Sequence, residues 1–448
     1  MLKPESSDYI LARRRDYSIY VMTSRAIPAA TDGLKAGGRR TLWVARDGKK
    51  YKTATLAGAT MPLHPHAEAS GAINTLAAPY GNNIPLFKGD GAFGTLLNPT
   101  AYGASRYTSV STSTFTNDVV FRDIEIIPMT ENYDSTLEEP VHFLPLVPIV
   151  LLNPTEGIAV GFATNILPRA LDDIIAVQLA WLKGTKTNNA LLPTFVPTGT
   201  KSTHYEDTER GVAYYFSGDI QRKDTSTLVI TKLPYGQVHE KVTAKIDDLM
   251  EKGIVTDFTD MSKDAINIEV KFKRGYLKDV DDADLLKMLG LTVRHVENLN
   301  VLDFTGQVIW SATPHELITR FTEWRLGWYV QRYERLRNLL QNDLQRYYDI
   351  RTAIVNNIGA AARKTQSRAE LKQLLEAFGV THLDYIADLP VYRFTEDERL
   401  KNEERIKEAE AQMKEYEDLL ASEDKRRSVY VSELTEVLQK YNKGVYTK

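Results

Sequence analysis

Hydrophobic residues recur at helical spacing in the last third of the chain. Leu317, Phe321, Trp324, Tyr329, Tyr333 and Leu336 follow at intervals close to three or four, the pattern of one buried helix face, and predict a continuous helix from Pro314 to Ile350. A second long helix is predicted from Thr395. There Thr395 and Glu398 match a capping box, in which hydroxyl and carboxylate satisfy the free N–H groups of the first turn. Ile406, Ala409, Met413, Tyr416 and Leu420 then repeat at spacings of three and four, with Glu, Lys and Arg between them. Two such helices flanking a segment at roughly 352 to 394 predict an antiparallel coiled coil with a small knob at its tip.

The pattern changes upstream. Thr227 to Leu233 and Asn267 to Phe272 are rich in β-branched residues and predict strands. Glu240 to Glu251 predicts a helix ending at Gly253. The stretch from about 155 to 310 therefore reads as α+β. Residues 8 to 150 mix short helical patterns with loops marked by Gly37-Gly38, Pro62, Pro65 and Pro85. Loops that dense usually carry function. A length of 448 residues predicts two to four folding units.

Charge and composition narrow the function. The net charge is -3, but residues 1 to 60 carry twelve Lys or Arg against five Asp or Glu, whereas 391 to 420 carry six against ten. The first segment suits phosphates; the second is a solvated helix face. The absence of cysteine excludes disulfides, thiolate nucleophiles, iron–sulfur clusters and cysteine-ligated zinc. The most apolar stretch, Val141 to Leu152, is shorter than a membrane span and contains Pro145 and Pro148. The N-terminus lacks an apolar signal core. A cytoplasmic location is expected, in the host cytoplasm for a viral protein.

Few motifs carry chemistry alone. Gly89-Asp90-Gly91-Ala92-Phe93-Gly94 matches the dinucleotide pattern, but Pro99 comes too soon for the helix that must follow, so a turn-rich loop is expected. There is no ATP-binding P-loop. Asp282 and Asp284 precede Leu285-Leu286 and read as helix N-capping rather than a metal pair. His64-Pro65-His66 has the spacing of two metal ligands but no third nearby, which favours phosphate contact over zinc. In Arg106-Tyr107, a phenol has a cation beside it, as phosphodiester cleavage by tyrosine requires. By itself, a tyrosine among 23 is ordinarily a surface or core residue.

Taken in order, these pieces resemble the A-subunit signature of type IIA DNA topoisomerases. The series runs Arg25-Ala26-Ile27-Pro28, Asp32-Gly33-Leu34-Lys35, Arg39-Arg40, His64-Pro65-His66, Gly89 to Gly94 and Arg106-Tyr107. It continues through Leu151-Leu152-Asn153, Gly157-Ile158-Ala159-Val160-Gly161, Ala163-Thr164-Asn165-Ile166 and Leu233-Pro234-Tyr235. The likeness is strong to about residue 170 and architectural beyond. Within the family, the short medium subunit of T-even-type phage enzymes is the form it most resembles.

The resemblance implies a multidomain α+β fold: a winged-helix DNA-gate domain over 1–152, a tower domain over 153–312, and a long antiparallel coiled coil over 313–448 with a C-gate dimerisation domain at about 352–394. It implies that Tyr107 attacks the scissile phosphate to give a 5′-phosphotyrosyl link, with Arg106 stabilising the transition state. His64 is the candidate for proton transfer or phosphate contact, with His66 nearby, and the resemblance does not decide which histidine moves the proton. Arg25, Lys35, Arg39 and Arg40 would hold the DNA backbone, and Ile158 would be the wedge inserted between base pairs. No metal ligand is expected in this chain. Magnesium and ATP would be bound by an ATPase/TOPRIM partner, and the chain would act as a homodimer on double-stranded DNA.

Departures from the family pattern stand at Ala36, Gly38 and Ala67, where proline, histidine and glycine are usual, so one basic DNA contact is expected to be missing. Ala69 and Ile73 occupy the two positions that commonly anchor quinolones, which implies a weak quinolone response. The sequence stops soon after the second long helix, without a β-pinwheel, which implies relaxation rather than negative supercoiling. Alternatives are a gyrase or topoisomerase IV core cut short, a DNA-bending clamp without chemistry, and, less favoured, a tyrosine recombinase forming a 3′ link.

Overall fold

The computed structural model describes residues 4–65, 69–187, 189–209 and 211–446, and these form two compact units. One comprises the chain to Arg325 together with Val431 onward; the other is Leu326–Tyr430. Both helices and sheets are present, as the patterning predicts.

The first unit opens with helix α1 (Pro4–Val21), followed by α2 (Ala36–Val44), α3 (Thr53–Thr60) and α4 (Ser70–Ala77). Three short strands follow the order β1 (Tyr51–Lys52), β3 (Ser109–Thr112), β2 (Phe87–Asp90), all antiparallel. Leu42 of α2, Leu56 of α3 and Ile73 of α4 are fully buried, as are Phe87 and Val110 of the sheet. The loop after β2 contains no helix, and a Cβ on Gly94 would lie 2.2 Å from the Pro99 carbonyl oxygen. The glycine-rich segment is thus a tight loop rather than a nucleotide cradle.

The two predicted strands occur as Thr227–Lys232 and Ile268–Phe272, neighbours in a four-stranded antiparallel sheet with Asp219–Arg222 and Val255–Asp260 at its edges. The helix between them, His239–Glu251, buries Val242, Ile246 and Leu249 against that sheet. A second four-stranded sheet contains Gly211–Ser217 and Thr292–Glu297. Glu297 forms a buried ion pair with Arg169 (2.6 Å), whose remaining donors reach the carbonyls of Leu167 and Leu191. A buried charge is stable only when paired and hydrogen-bonded in this way. The chain end returns to the same unit, where Lys440 pairs with Asp118 (2.9 Å) and Glu433 with Arg122 (3.1 Å).

In the second unit, residues of the helix Pro314–Val355 pair with those of Glu396–Ala421. The partners run in opposite directions: Tyr347 carbonyl with Asn402 (2.9 Å), Leu344 with Ile406 and Ala409, and Tyr333 with Tyr416. At one end Ile350, Ala353, Ile358, Leu375, Val380 and Ile386 form a separate small core.

Two local expectations change, at Thr395 and near Asp282. The capping box at Thr395 does not form. Its hydroxyl donates to the Tyr392 carbonyl (2.8 Å), while Glu398 is drawn into a charge-assisted bond with Arg393 (2.7 Å), stronger than one to a neutral N–H. The second long helix is interrupted at Ser422, whose extended backbone ends Glu396–Ala421 and whose hydroxyl accepts from Lys425 to start Glu423–Asn442. The N-cap near Asp282 is Asp281, which accepts from the Asp284 N–H (2.7 Å), and Asp282 instead pairs with Arg222 (2.7 Å).

Candidate functional site

Tyr107 stands on the turn leading into β3 and is 70% exposed. The turn is anchored by the start of α3, whose first-turn N–H groups have no partner within the helix. Thr53 and Ala54 donate theirs to the carbonyls of Thr108 and Ser105 (both 3.1 Å), and the hydroxyls of Thr53 and Thr108 share a bond of 2.7 Å. Lys52 Nζ donates to the Tyr107 carbonyl (3.3 Å), and the Arg106 guanidinium lies over the Tyr107 ring, 4.8 Å from its centroid. The phenol therefore sits free at the surface while its backbone is held.

These surroundings suit an anion. Two cations and a helix N-terminus flank Tyr107, and the carboxylate on the adjacent strand, Asp90, is tied up by Lys50. Among the described residues no group of three or more histidine or acidic side chains is placed to hold a metal ion. The residues around Tyr107 do not fit a magnesium site by themselves.

Arg25, Lys35, Arg40 and His64 come together around one cavity of about 540 Å³; Arg106 and Tyr107 are not in its lining. Gly37 and Gly38 form part of its wall. His64 shares a hydrogen bond with the Tyr20 hydroxyl (2.7 Å) and meets the edge of Tyr133. Burial, and then the charges of Arg40 and Arg25, push the His64 imidazole below its ordinary pKa, with Glu139 opposing. Lys35 donates to the Glu156 carbonyl (2.5 Å), and burial lowers its pKa against the pull of the Glu156 charge.

The two adjacent arginines have different surroundings. Arg39 is folded inward, its guanidinium bonded to both oxygens of buried Asp32 (2.6 and 2.9 Å) and to the Leu34 carbonyl (3.2 Å). Asp32 also accepts from the N–H groups of Leu34 and Phe143, so it fastens α2 to a distant loop. Arg40 makes a two-pronged pair with Glu139 (2.5 and 2.8 Å) at the cavity edge. His66 and Ala67 lie outside the described residues.

Ile158 is 88% exposed near the tip of the hairpin Thr155–Ile158/Ala163–Ile166, and Arg25 and Lys35 line an open cavity beside it. Val160 (56%) and Phe162 (44%) are exposed on the same tip. The hairpin lies so close to its support that a Cβ on Gly157 would be 1.9 Å from the Ala26 carbonyl oxygen. Sequence reasoning missed Tyr20, Lys52, Val160 and Phe162. An apolar pair around Gly161 in a hairpin turn was the available signal for the last two.

A family model for the A subunit of DNA gyrase and topoisomerase IV matches residues 25–435. The chain belongs to this type IIA topoisomerase A-subunit family. The "DNA topoisomerase medium subunit" of Enterobacteria phage T4 is 30% identical, over 87% of this chain and 90% of its own length. The DNA gyrase A subunit of Streptomyces coelicolor is 29% identical over 97% of this chain, and that of Chlamydia muridarum 27% over 94%. The chain spans 54% of the length of each of those two gyrase proteins. The A-subunit match includes every described position on which the ordered motifs rest, from Arg25 to Tyr235.

Proposed function

We propose that this chain is the DNA breakage-and-reunion subunit of an ATP-dependent type II topoisomerase. The observation that carries the reading is the exposed Tyr107 phenol, with Arg106 over its ring and its backbone fixed to α3, in a chain of the A-subunit family. The Tyr107 oxygen attacks the scissile phosphorus, a P–O bond forms to tyrosine, and the 3′-oxygen leaves with a proton. Splitting breakage from resealing through a covalent intermediate conserves the bond for the reverse step. Arg106 stabilises the charge of the pentavalent transition state. His64, held neutral by its surroundings, transfers a proton or contacts phosphate.

In this reading, residues 1–152 form the winged-helix DNA gate, 153–312 the tower, and 313–448 the coiled coil with a C-gate at about 352–394. Exposed Val355, Phe378, Val391 and Tyr392 supply apolar surface for homodimerisation at that gate. Arg25, Lys35 and Arg40 hold the DNA backbone, while Arg39 acts by positioning α2 through Asp32. Ile158 inserts as the wedge that bends the duplex. Magnesium and ATP belong to the ATPase/TOPRIM partner. Buried Ala69 and Ile73 offer no polar side-chain atom to a quinolone.

The test is a plasmid cleavage assay with magnesium and a TOPRIM-bearing partner, comparing the native chain with Tyr107→Phe. Linear DNA with protein-blocked 5′ ends from the native chain alone is expected. Equal cleavage by both chains, or none by either while DNA is still bent, overturns the reading, the second outcome in favour of a clamp.

A further inference from the structure

The hairpin that carries Ile158 is gripped by three asparagines. Asn300, which is buried, and Asn298 both donate their side-chain amides to the Ala163 carbonyl (2.7 and 3.1 Å), and Ala163 is the strand partner of Ile158. Asn165, in turn, donates its side-chain amide to the Val296 carbonyl (2.8 Å). Its backbone exchanges hydrogen bonds in both directions with Asn298 (3.0 and 2.9 Å). Ser311 bonds to the Asn300 side-chain oxygen and so fixes which end of that amide faces Ala163. On the other side, Gly157 lies against the Ala26 backbone. The hairpin is therefore held from two directions along its length, up to the Ile158–Ala163 pair next to the turn, and only the turn itself stands beyond these contacts.

A wedge works only if it yields less than the base stack it opens. Bending a duplex and unstacking a step resist the inserted side chain, and a hairpin that rocked would give way instead. Two-stranded hairpins are marginal alone, and this one makes only four register pairs. The amides supply the missing edge bonds, and each fixes a carbonyl rather than adding apolar bulk.

We propose that Asn165, Asn298 and Asn300 are positioning residues for DNA bending, a clasp that keeps the Ile158 hairpin stiff enough to unstack a base step. The proposal rests on Ile158 being the wedge. Residues too loosely supported by about 1 Å lose function steeply, so releasing one amide is expected to lower the bent population about tenfold.

The experiment uses the full chain with a TOPRIM-bearing partner and magnesium. Bending is read by energy transfer between dyes at the ends of a duplex, alongside cleavage of that duplex and thermal unfolding. Asn300→Ala and Asn165→Ala should bend poorly. Asn300→Ala should have no further effect in an Ile158→Ala background, because the clasp acts through the wedge. A single-strand gap at the bend should restore cleavage by Asn300→Ala, a rescue that a folding defect would not allow. Native bending by Asn300→Ala and Asn165→Ala, with bending lost in Ile158→Ala, overturns the clasp and leaves the wedge. An undiminished effect of Asn300→Ala in the Ile158→Ala background, or no rescue by the gap, also overturns it. Native bending by Ile158→Ala overturns the wedge reading and the clasp with it.

Discussion

The Arg106 guanidinium lies over the ring of Tyr107, 4.8 Å from its centroid, yet the residue is 70% exposed. Stacking without burial presents the phenol oxygen outward with a cation beside it. Arg106→Ala is expected to lower the cleavage rate by about 10²–10³-fold, the usual loss when one electrostatic partner of a transition state is removed. Arg106→Lys keeps the charge but not the planar stack and should recover only part of that rate. Single-turnover cleavage checks both, and a native rate in Arg106→Ala would remove it from the chemistry.

His64 gives a pH signature. Its folded pKa is depressed, so the neutral ring is favoured and protonation occurs only below the ordinary value of about 6.5. Cleavage should therefore hold steady near neutrality and fall as the pH drops below that value. His64→Ala should lower cleavage by about 10²-fold, leave DNA binding nearly unchanged, and remove this acid limb. Equal losses of cleavage and binding would reject a role in proton transfer.

Arg39 and Arg40 are expected to behave differently despite being neighbours. Arg39→Ala leaves Asp32 buried and uncompensated and should cost about 3–5 kcal/mol of stability, read by denaturant unfolding. Arg40→Ala leaves the less deeply buried Glu139 without its partner, so it should cost less stability than Arg39→Ala, and it should also reduce the slope of log binding constant against log salt by about 0.9, one phosphate contact. Glu139→Gln, which releases Arg40, should tighten binding.

How much of this was legible in the sequence depends on the range of the interaction. Periodicity located the long helices and the central strands because burial of one face is a local pattern. The motif series singled out Tyr107, His64 and Ile158 as candidates because each falls within a short, contiguous stretch of sequence. Adjacent arginines look equivalent in sequence; Asp32 and Glu139, which separate them, are matched to them only by the fold. Asn165 had no assignable role because its partners Val296 and Asn298 lie more than 130 residues further on. The Thr395 capping box failed for a local reason, since Arg393 competes for Glu398.

The small core at the end of the helix pair has its own electrostatic support. Burial alone would raise the Asp349 carboxyl, but bonds from the His382 and Thr381 N–H groups and from the His382 ring outweigh it and hold the group below its usual range. A depressed folded pKa adds stability that is fully present above the unfolded value of about 3.9 and is lost as the pH falls through the folded value. Asp349→Ala should cost about 2–4 kcal/mol in thermal unfolding of the full chain at neutral pH, with the difference shrinking in acid. An unchanged difference at low pH would contradict the assignment.

The central claim is most directly tested by isolating the covalent intermediate. The native chain, its TOPRIM-bearing partner, magnesium and duplex DNA are mixed, stopped with detergent, digested with nuclease and protease, and the peptides analysed by mass spectrometry. The account predicts a nucleotide joined through its 5′-phosphate to the peptide containing Tyr107. A link at another residue, or through a 3′-phosphate, would contradict it.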